Sequence, residues 1–248
     1  MQLSEATALV VDDEELICEI MAAWLKRHTR EVLTAGNGQE ALKVLGESHV
    51  DVIVSDVRMP IMDGISLVRA IAATVAERPR VIFVTGFSDL QPRDAYNLGV
   101  EAIMEKPLER EHLLDAVKRS LASRNELWGR PLEISPENIL EASFASLADA
   151  QRDEIAFGRG GFCLRTVHKL KEAPIRFKLE FKADNKIVSG EGIVRWVSPA
   201  ENLLGVEILY IDDQNRGWLA DLAENKKLES YIPSAPNLKG NPAIAVAS

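Results

Sequence analysis

VIVSDVRMPIMDG, residues 52–64, runs through β-branched apolar residues to Ser55 and an acid, Asp56, and then into a turn-prone segment with Pro60 and Gly64. Apolar runs of this kind read as buried strands. A lone carboxylate at the end of one is costly to bury unless it is paired or bound to a cation. Asp56 therefore either escapes to solvent or has company.

The surrounding sequence supplies the company. Short apolar runs recur at Ala8–Val11, Val32–Ala35, Val52–Val54, Val81–Val84 and Ala102–Met104. Between them lie helical stripes: Leu16, Ile17, Ile20, Met21, Trp24 and Leu25; Ala41, Leu42, Val44 and Leu45; Leu67, Val68, Ile71 and Val75; Leu113, Leu114, Val117 and Leu121. This alternation predicts a doubly wound α/β domain with a five-stranded parallel sheet in the order 2-1-3-4-5. Asp12 and Asp13 follow the first strand, Asp56 the third, Thr85 the fourth and Lys106 the fifth. In a parallel sheet these positions share one edge, where such folds bind ligands.

Singly, each residue could belong to a solvated acidic rim with Lys106 as a surface counter-ion. All five at successive strand ends favour convergence. Clustered carboxylates repel unless a cation sits among them, and a few hard oxygen ligands suit Mg2+ that retains waters. A cation and an ammonium beside one carboxylate make a receptacle for a phosphoryl group. Asp56 is then the candidate nucleophile, since carboxylates can form aspartyl phosphates.

Residues 5–124 resemble a response regulator receiver domain, through ALVVDDEE (8–15), SDVRMPIMDG (55–64), FVTGFSD (83–89) and MEKPL (104–108). The resemblance implies phosphorylation of Asp56 by a histidine kinase. It places Asp13, Asp56 and the main-chain carbonyl of Arg58 on Mg2+, with Asp12 acting through water. It also implies that Thr85 and Lys106 sense the phosphate, and that a cis peptide precedes Pro107. The aromatic switch position of such domains is Ile103 here, a departure from the pattern. No enzymatic activity is expected beyond self-phosphorylation from a donor and autodephosphorylation.

After Ser123 the pattern changes. RNELWGRPLEISPEN contains Gly129, Pro131 and Pro136 and reads as a linker over 125–140, with Ser135 capping a short helix from Pro136. Ile175, Phe177, Leu179 and Phe181 alternate with polar residues, and Ile193–Val197 and Val206–Ile211 read as further strands. These predict a small antiparallel β-barrel over 141–232. A helix from Asp213 to Leu228 closes it, and the tail 233–248 is expected to be disordered.

This half resembles a PilZ domain, through IAFGRGGFCLR (155–165), IRFKLEF (175–181), GEGIVRWV (190–197) and LLGVEILYID (203–212). Members of that family often bind cyclic di-GMP. Here the ligand motifs are degenerate: Ala156 and Gly158 stand where an acid or amide and a serine are expected, and no R-x-x-x-R precedes them. Gly161 keeps the motif's glycine. Arg152 and Arg159 remain as candidate contacts, with Gly158, Gly160 and Gly161 as a backbone nest for an anion. The favoured output is contact with an unidentified downstream protein; cyclic di-GMP sensing is the alternative.

Composition sets the remaining bounds. The chain has 248 residues and a net charge of −9, and acids outnumber bases in both halves, which disfavours DNA as a partner. The N-terminus lacks the pattern of a signal peptide, and no apolar run suggests membrane insertion. Cys18 and Cys163 read as free thiols of a cytoplasmic protein. His28, His49, His112 and His168 show no metal-ligand spacing.

Overall fold

The computed structural model describes residues 2–75, 77–86, 90–129, 138–167, 170, 173–224 and 228–236. Two compact units emerge: Met1–Gln91 with Val100–Ala122, and Pro92–Gly99 with Ser123 onward. The first alternates β1 (Thr7–Val11), α1 (Glu15–Lys26), β2 (Glu31–Ala35), α2 (Gly38–Glu47), β3 (Val52–Asp56), α3 (Gly64–Thr74) and β4 (Arg80–Thr85). After the short helix α4 (Pro92–Asn97), which packs in the second unit, come β5 (Val100–Glu105) and α5 (Arg110–Leu121).

The five strands pair in parallel in the order β2-β1-β3-β4-β5, as the sequence predicts. Every residue of the central strands β1 and β3 is buried, because helices cover both faces of a sheet of this kind. On one face Ala8, Val10, Val52, Val54, Ile82 and Val84 pack with Cys18, Met21 and Leu25 of α1 and Leu113, Val117 and Leu121 of α5. The α1 stripe is narrower than expected: Leu16 and Ile20 are exposed. Asn37 caps α2 by accepting from the Gln39 and Glu40 amides, and Asp63 caps α3 by accepting from Ser66.

The second unit continues with α6 (Arg124–Leu127), β6 (Asn138–Phe144), α7 (Leu147–Asp153), β7 (Ile155–Phe157), β8 (Gly161–Arg165), β9 (Pro174–Phe181), β10 (Lys186–Ser198), β11 (Leu203–Ile211) and α8 (Asp213–Ala223). Its six strands run in the order β6-β9-β10-β11-β8-β7. The expected antiparallel barrel is corrected on two points. β6 pairs with β9 in parallel, and among the described residues no pairing joins β6 to β7, so the sheet is mixed and open. Irregularities in the β10–β11 pairing after Glu191 and Val194 curl it.

The period-two reading of β9 holds: Ile175, Phe177, Leu179 and Phe181 all face the core. There Phe162 meets Phe177 edge-on at 5.2 Å between ring centroids, and Phe144 stacks on Phe181 at 5.3 Å.

The expected linker begins inside this unit. Trp128 is buried in the core, and its carbonyl accepts from the Ile211 amide. Pro131, Ser135 and Pro136 lie outside the described residues, as does His168. α8 ends at Ala223, short of the predicted Leu228. The start of the expected disordered tail is ordered: Pro233 and Pro236 are buried, and Ser234 is hydrogen bonded.

Candidate functional site

The parallel sheet carries its polar residues to one edge. The register sets Val11 beside Ser55, Asp56 beside Val84 and Thr85 beside Glu105. Asp12 therefore follows β1, Asp56 ends β3, Thr85 ends β4 and Lys106 follows β5, all at the carboxyl side. The Lys106 amide donates to the Thr85 carbonyl at 2.8 Å, and the Lys106–Pro107 peptide is cis. Gly64 lets α3 start against the strand end, since a Cβ there would run into the Asp56 carbonyl.

One ammonium faces two buried carboxylates. Lys106 Nζ lies 2.9 Å from Asp12 Oδ2 and 3.4 Å from Asp56 Oδ1, with the more exposed Glu14 carboxylate at 3.8 Å. Asp12 Oδ1 accepts from the Glu14 amide at 2.9 Å, and Asp56 Oδ2 from the Arg58 amide at 3.2 Å. Burial pushes the Asp56 carboxyl up. Lys106 pulls it back and the Asp12 charge pushes again, and the net shift is upward. Burial alone would lower the Lys106 pKa. Its hydrogen bond to Asp12 and the charges of Asp12 and Asp56 outweigh that, so the amine is held more firmly as ammonium. Negative charge is thus in surplus at this edge.

An open cleft of 460 Å³ adjoins the site, lined by Asp13, Val57, Arg58, Met59, Pro60, Asp63 and Ile65. Asp13 and Arg58 are exposed, and Thr85 is half-buried. Ile103 is half-buried and pairs with Phe83 across the strands.

The carboxylates expected at Mg2+, Asp13 and Asp56 directly and Asp12 through water, all follow or end strands at this edge. Among the described residues no three His, Cys, Asp or Glu side chains are grouped to hold an ion. Both Asp12 oxygens are hydrogen bonded, to Lys106 and to the Glu14 amide. The donor chemistry still fits Mg2+, which is commonly held by one or two carboxylates with waters and phosphate oxygens rather than by a closed cage. Asp56, whose ionised form is disfavoured by burial, gains most from a cation nearby.

The candidate contacts of the second unit have partners within that unit. Arg152 is exposed on α7 and pairs with Asp149 at 3.2 Å. Arg159 Nη2 donates to the Gly99 carbonyl at 2.8 Å. The nest is already occupied: the Gly158 amide donates to the Gly161 carbonyl, Arg159 to Ser230 and Gly160 to Tyr231. A side chain at position 160 would collide with the Tyr231 ring, so this glycine serves packing.

Sequence reasoning missed the buried polar group of this unit. Glu207 Oε1 accepts from the Tyr231 hydroxyl at 2.9 Å, and Glu207 Oε2 from Arg195 Nε at 2.7 Å. The pairing of β10 with β11 brings Arg195 near Glu207, and Tyr231 comes from the segment after α8, so their spacing carries no signal. Both cysteines are free and buried, and burial pushes the Cys163 thiol up to about 12.

Comparison with known proteins follows the division into halves. The family described as the response regulator receiver domain matches residues 8–118. The transcriptional regulatory protein GlrR of Escherichia coli K12 is 30% identical over 132 residues, 52% of this chain and 30% of that protein. The DNA-binding transcriptional regulator NtrC of Proteus hauseri is 28% identical over 149 residues, 60% of this chain and 31% of that protein. The match thus spans less than a third of the length of these relatives. Among solved structures, the chemotaxis response regulator CheY4 of Vibrio cholerae is 30% identical, covering 47% of this chain and 99% of that one, with a TM-score of 0.43. Among the described residues no helix is long and apolar enough to cross a membrane. Residues 8–118 of this chain are a response regulator receiver domain of two-component signalling.

Proposed function

We propose that a histidine kinase phosphorylates this chain on Asp56 and that the second unit, a PilZ-like module, delivers the signal by binding another protein. The observation that carries the first part is the placement of Asp56 at the end of β3 with Lys106 Nζ 3.4 Å from its Oδ1. An Asp56 oxygen attacks the phosphorus of a phosphohistidine, a P–O bond forms, and the P–N bond breaks toward the imidazole. Lys106 is placed to stabilise the transferred oxygens. Mg2+ would be held by Asp13, Asp56 and the Arg58 carbonyl, with Asp12 reaching it through water. When bound it would neutralise charge on the phosphoryl oxygens.

The PilZ-like reading is supported by the curled six-stranded sheet and by α8, which packs on its core through Leu219 and Leu222. Protein contact is preferred to DNA because the chain is acidic, with a net charge of −9. It is preferred to cyclic di-GMP because the glycine amides and Arg159 are already engaged.

Labelling with acetyl phosphate and Mg2+ tests the assignment. Wild type should gain one phosphoryl group. Asp56→Asn should lose at least 100-fold of the labelling rate, and chelation should suppress it in wild type. Equal labelling of Asp56→Asn would place the acceptor elsewhere.

A further inference from the structure

The open sheet ends in two edges of different kind. β7 is three residues long and buried throughout. β6 runs for seven residues in unbroken register with β9, and among the described residues no strand pairs with its far side. The backbone of β6 is divided between its two sides. The Phe144 carbonyl accepts from the Lys182 amide at 3.1 Å. Phe144 stands beside Phe181 in a parallel ladder, so that bond fixes the alternation. Leu140, Ala142 and Phe144 turn their N–H and C=O groups toward β9, and Ile139, Glu141 and Ser143 turn theirs to the open edge. Among the described residues none of those outward groups meets a partner.

Edges of this length are normally blunted by a lysine, a proline or a bulge, because they template pairing with another chain. β6 has none of the three. Ile139, Glu141 and Ser143 also project their side chains on the outer face, away from the core that holds Leu140 and Phe144. Ile139 is 60% exposed. Glu141 is exposed, and among the described residues no cation pairs with its carboxylate, although Lys178 stands beside it on β9. The Ser143 hydroxyl donates to Glu180 at 3.0 Å. A strand added here meets an apolar residue, an unpaired carboxylate and a hydroxyl at alternate positions.

We propose that the second unit binds its partner along β6, and that the partner is an extended segment of another protein that adds a strand to this edge. The inference rests on the reading that this unit acts by protein contact. The segment carries arginine or lysine opposite Glu141 and an apolar residue two positions away, over Ile139. In antiparallel pairing, the more stable kind, the basic residue comes first. Main-chain hydrogen bonds supply the affinity, and the alternate side chains select the partner. A second copy of the chain is a poorer occupant. Two-fold pairing about Glu141 sets two carboxylates directly opposite each other, and a net charge of −9 on each copy adds repulsion.

A short capped peptide of alternating threonine and valine, with arginine at its centre and isoleucine two positions later, is the probe for the full chain. With peptide at roughly ten times its Kd, hydrogen exchange of the Ile139, Glu141 and Ser143 amides in wild type should slow about 10-fold by mass action. The Leu140 and Ala142 amides, already bonded to β9, should change less. This readout needs no variant to fold. Glu141→Lys should weaken the arginine peptide roughly 3- to 5-fold and strengthen its central-glutamate counterpart by a similar factor, the size of a cross-strand charge pair. Absent binding, or binding that leaves the three amides unprotected, overturns the proposal. So does concentration-dependent protection of the same amides without peptide, which assigns the edge to a second copy. Photo-cross-linking groups placed in cells at Ile139, Val167 and Ile187, the exposed large apolar residues of this unit, separate the two levels. Capture of a protein at Val167 or Ile187 but never at Ile139 leaves protein contact standing and removes the edge. Capture at none of the three removes both.

Discussion

Two buried carboxylate groups, one at each sheet, are balanced in opposite ways. At the edge of the parallel sheet one ammonium serves two buried carboxylates, and burial already disfavours the ionised form of Asp56. In the open sheet Glu207 faces Arg195 and the Tyr231 hydroxyl, and the nearby glycine amides are spent on backbone carbonyls. At the first edge carboxylates outnumber the cations that face them. The second group is satisfied from within, as a structural element should be. Buried polar residues mark both places, so polarity alone does not distinguish a site. The balance of donors and acceptors does.

Carboxylate-to-amide substitutions test that difference, because the two units should respond with opposite signs. The larger effect belongs to Glu207→Gln. The amide keeps one acceptor but loses the negative charge that pairs with the Arg195 guanidinium. Breaking a fully buried ion pair costs about 3–5 kcal/mol. The Arg195 side chain is 36% exposed, so water compensates part of the loss, and about 1–2 kcal/mol is expected. Three of the four tryptophans, Trp128, Trp196 and Trp218, lie in this unit. Urea unfolding followed by tryptophan fluorescence should show a lower midpoint with an unchanged slope. An unshifted midpoint would mean that the pair contributes nothing.

Asp56→Asn should stabilise the first unit, by on the order of 1 kcal/mol and a few degrees in Tm, at neutral pH with Mg2+ chelated. The sign follows from the raised Asp56 pKa. A group whose folded pKa lies above its unfolded value contributes stability below the unfolded value and loses it as pH rises through the folded one. Wild type is therefore penalised above that range, and the variant is not. The two melting curves should converge below about pH 3, where Asp56 is protonated in both states. A variant less stable than wild type at pH 7 would show that Lys106 already satisfies this carboxylate, and the contrast between the units would collapse.

The parallel half is legible in sequence because a strand covered on both faces must be apolar throughout, so the polar residue that ends each run stands out. Asp56, Thr85 and Lys106 are visible for that reason. The pairing of Asp12 with Lys106 is not, because sequence shows which residues share an edge and not which oxygen turns to which nitrogen. The second half hides more. Trp128 is one aromatic residue in a segment otherwise composed like a linker, yet it fills the core. The open mixed sheet depends on β6 pairing with β9, a choice that period-two alternation does not encode. The allegiance of α4 is hidden because its partners in the segment after α8 lie far along the chain and share no pattern with it.

The smallest expected effect concerns the backbone. Each unit places residues at positive φ, but with different residue types. The second unit uses asparagines, Asn185 at φ 49° and Asn202 at φ 55°, residues whose short polar side chains tolerate that conformation. The first unit places Ile61 at φ 68°, in the loop that follows Asp56. A β-branched residue there is strained by about 1–2 kcal/mol. The side chain is 77% exposed, so packing does little to offset the strain. Replacing it with glycine relieves the clash but adds about 0.5–1 kcal/mol of unfolded-state entropy. Ile61→Gly should therefore stabilise by about 0.5 kcal/mol, whereas Asn202→Gly should change stability by no more than a few tenths. Paired urea titrations of the two variants measure this. A destabilised Ile61→Gly would show that the isoleucine makes contacts worth more than its strain, and the loop beside Asp56 would then be held by packing.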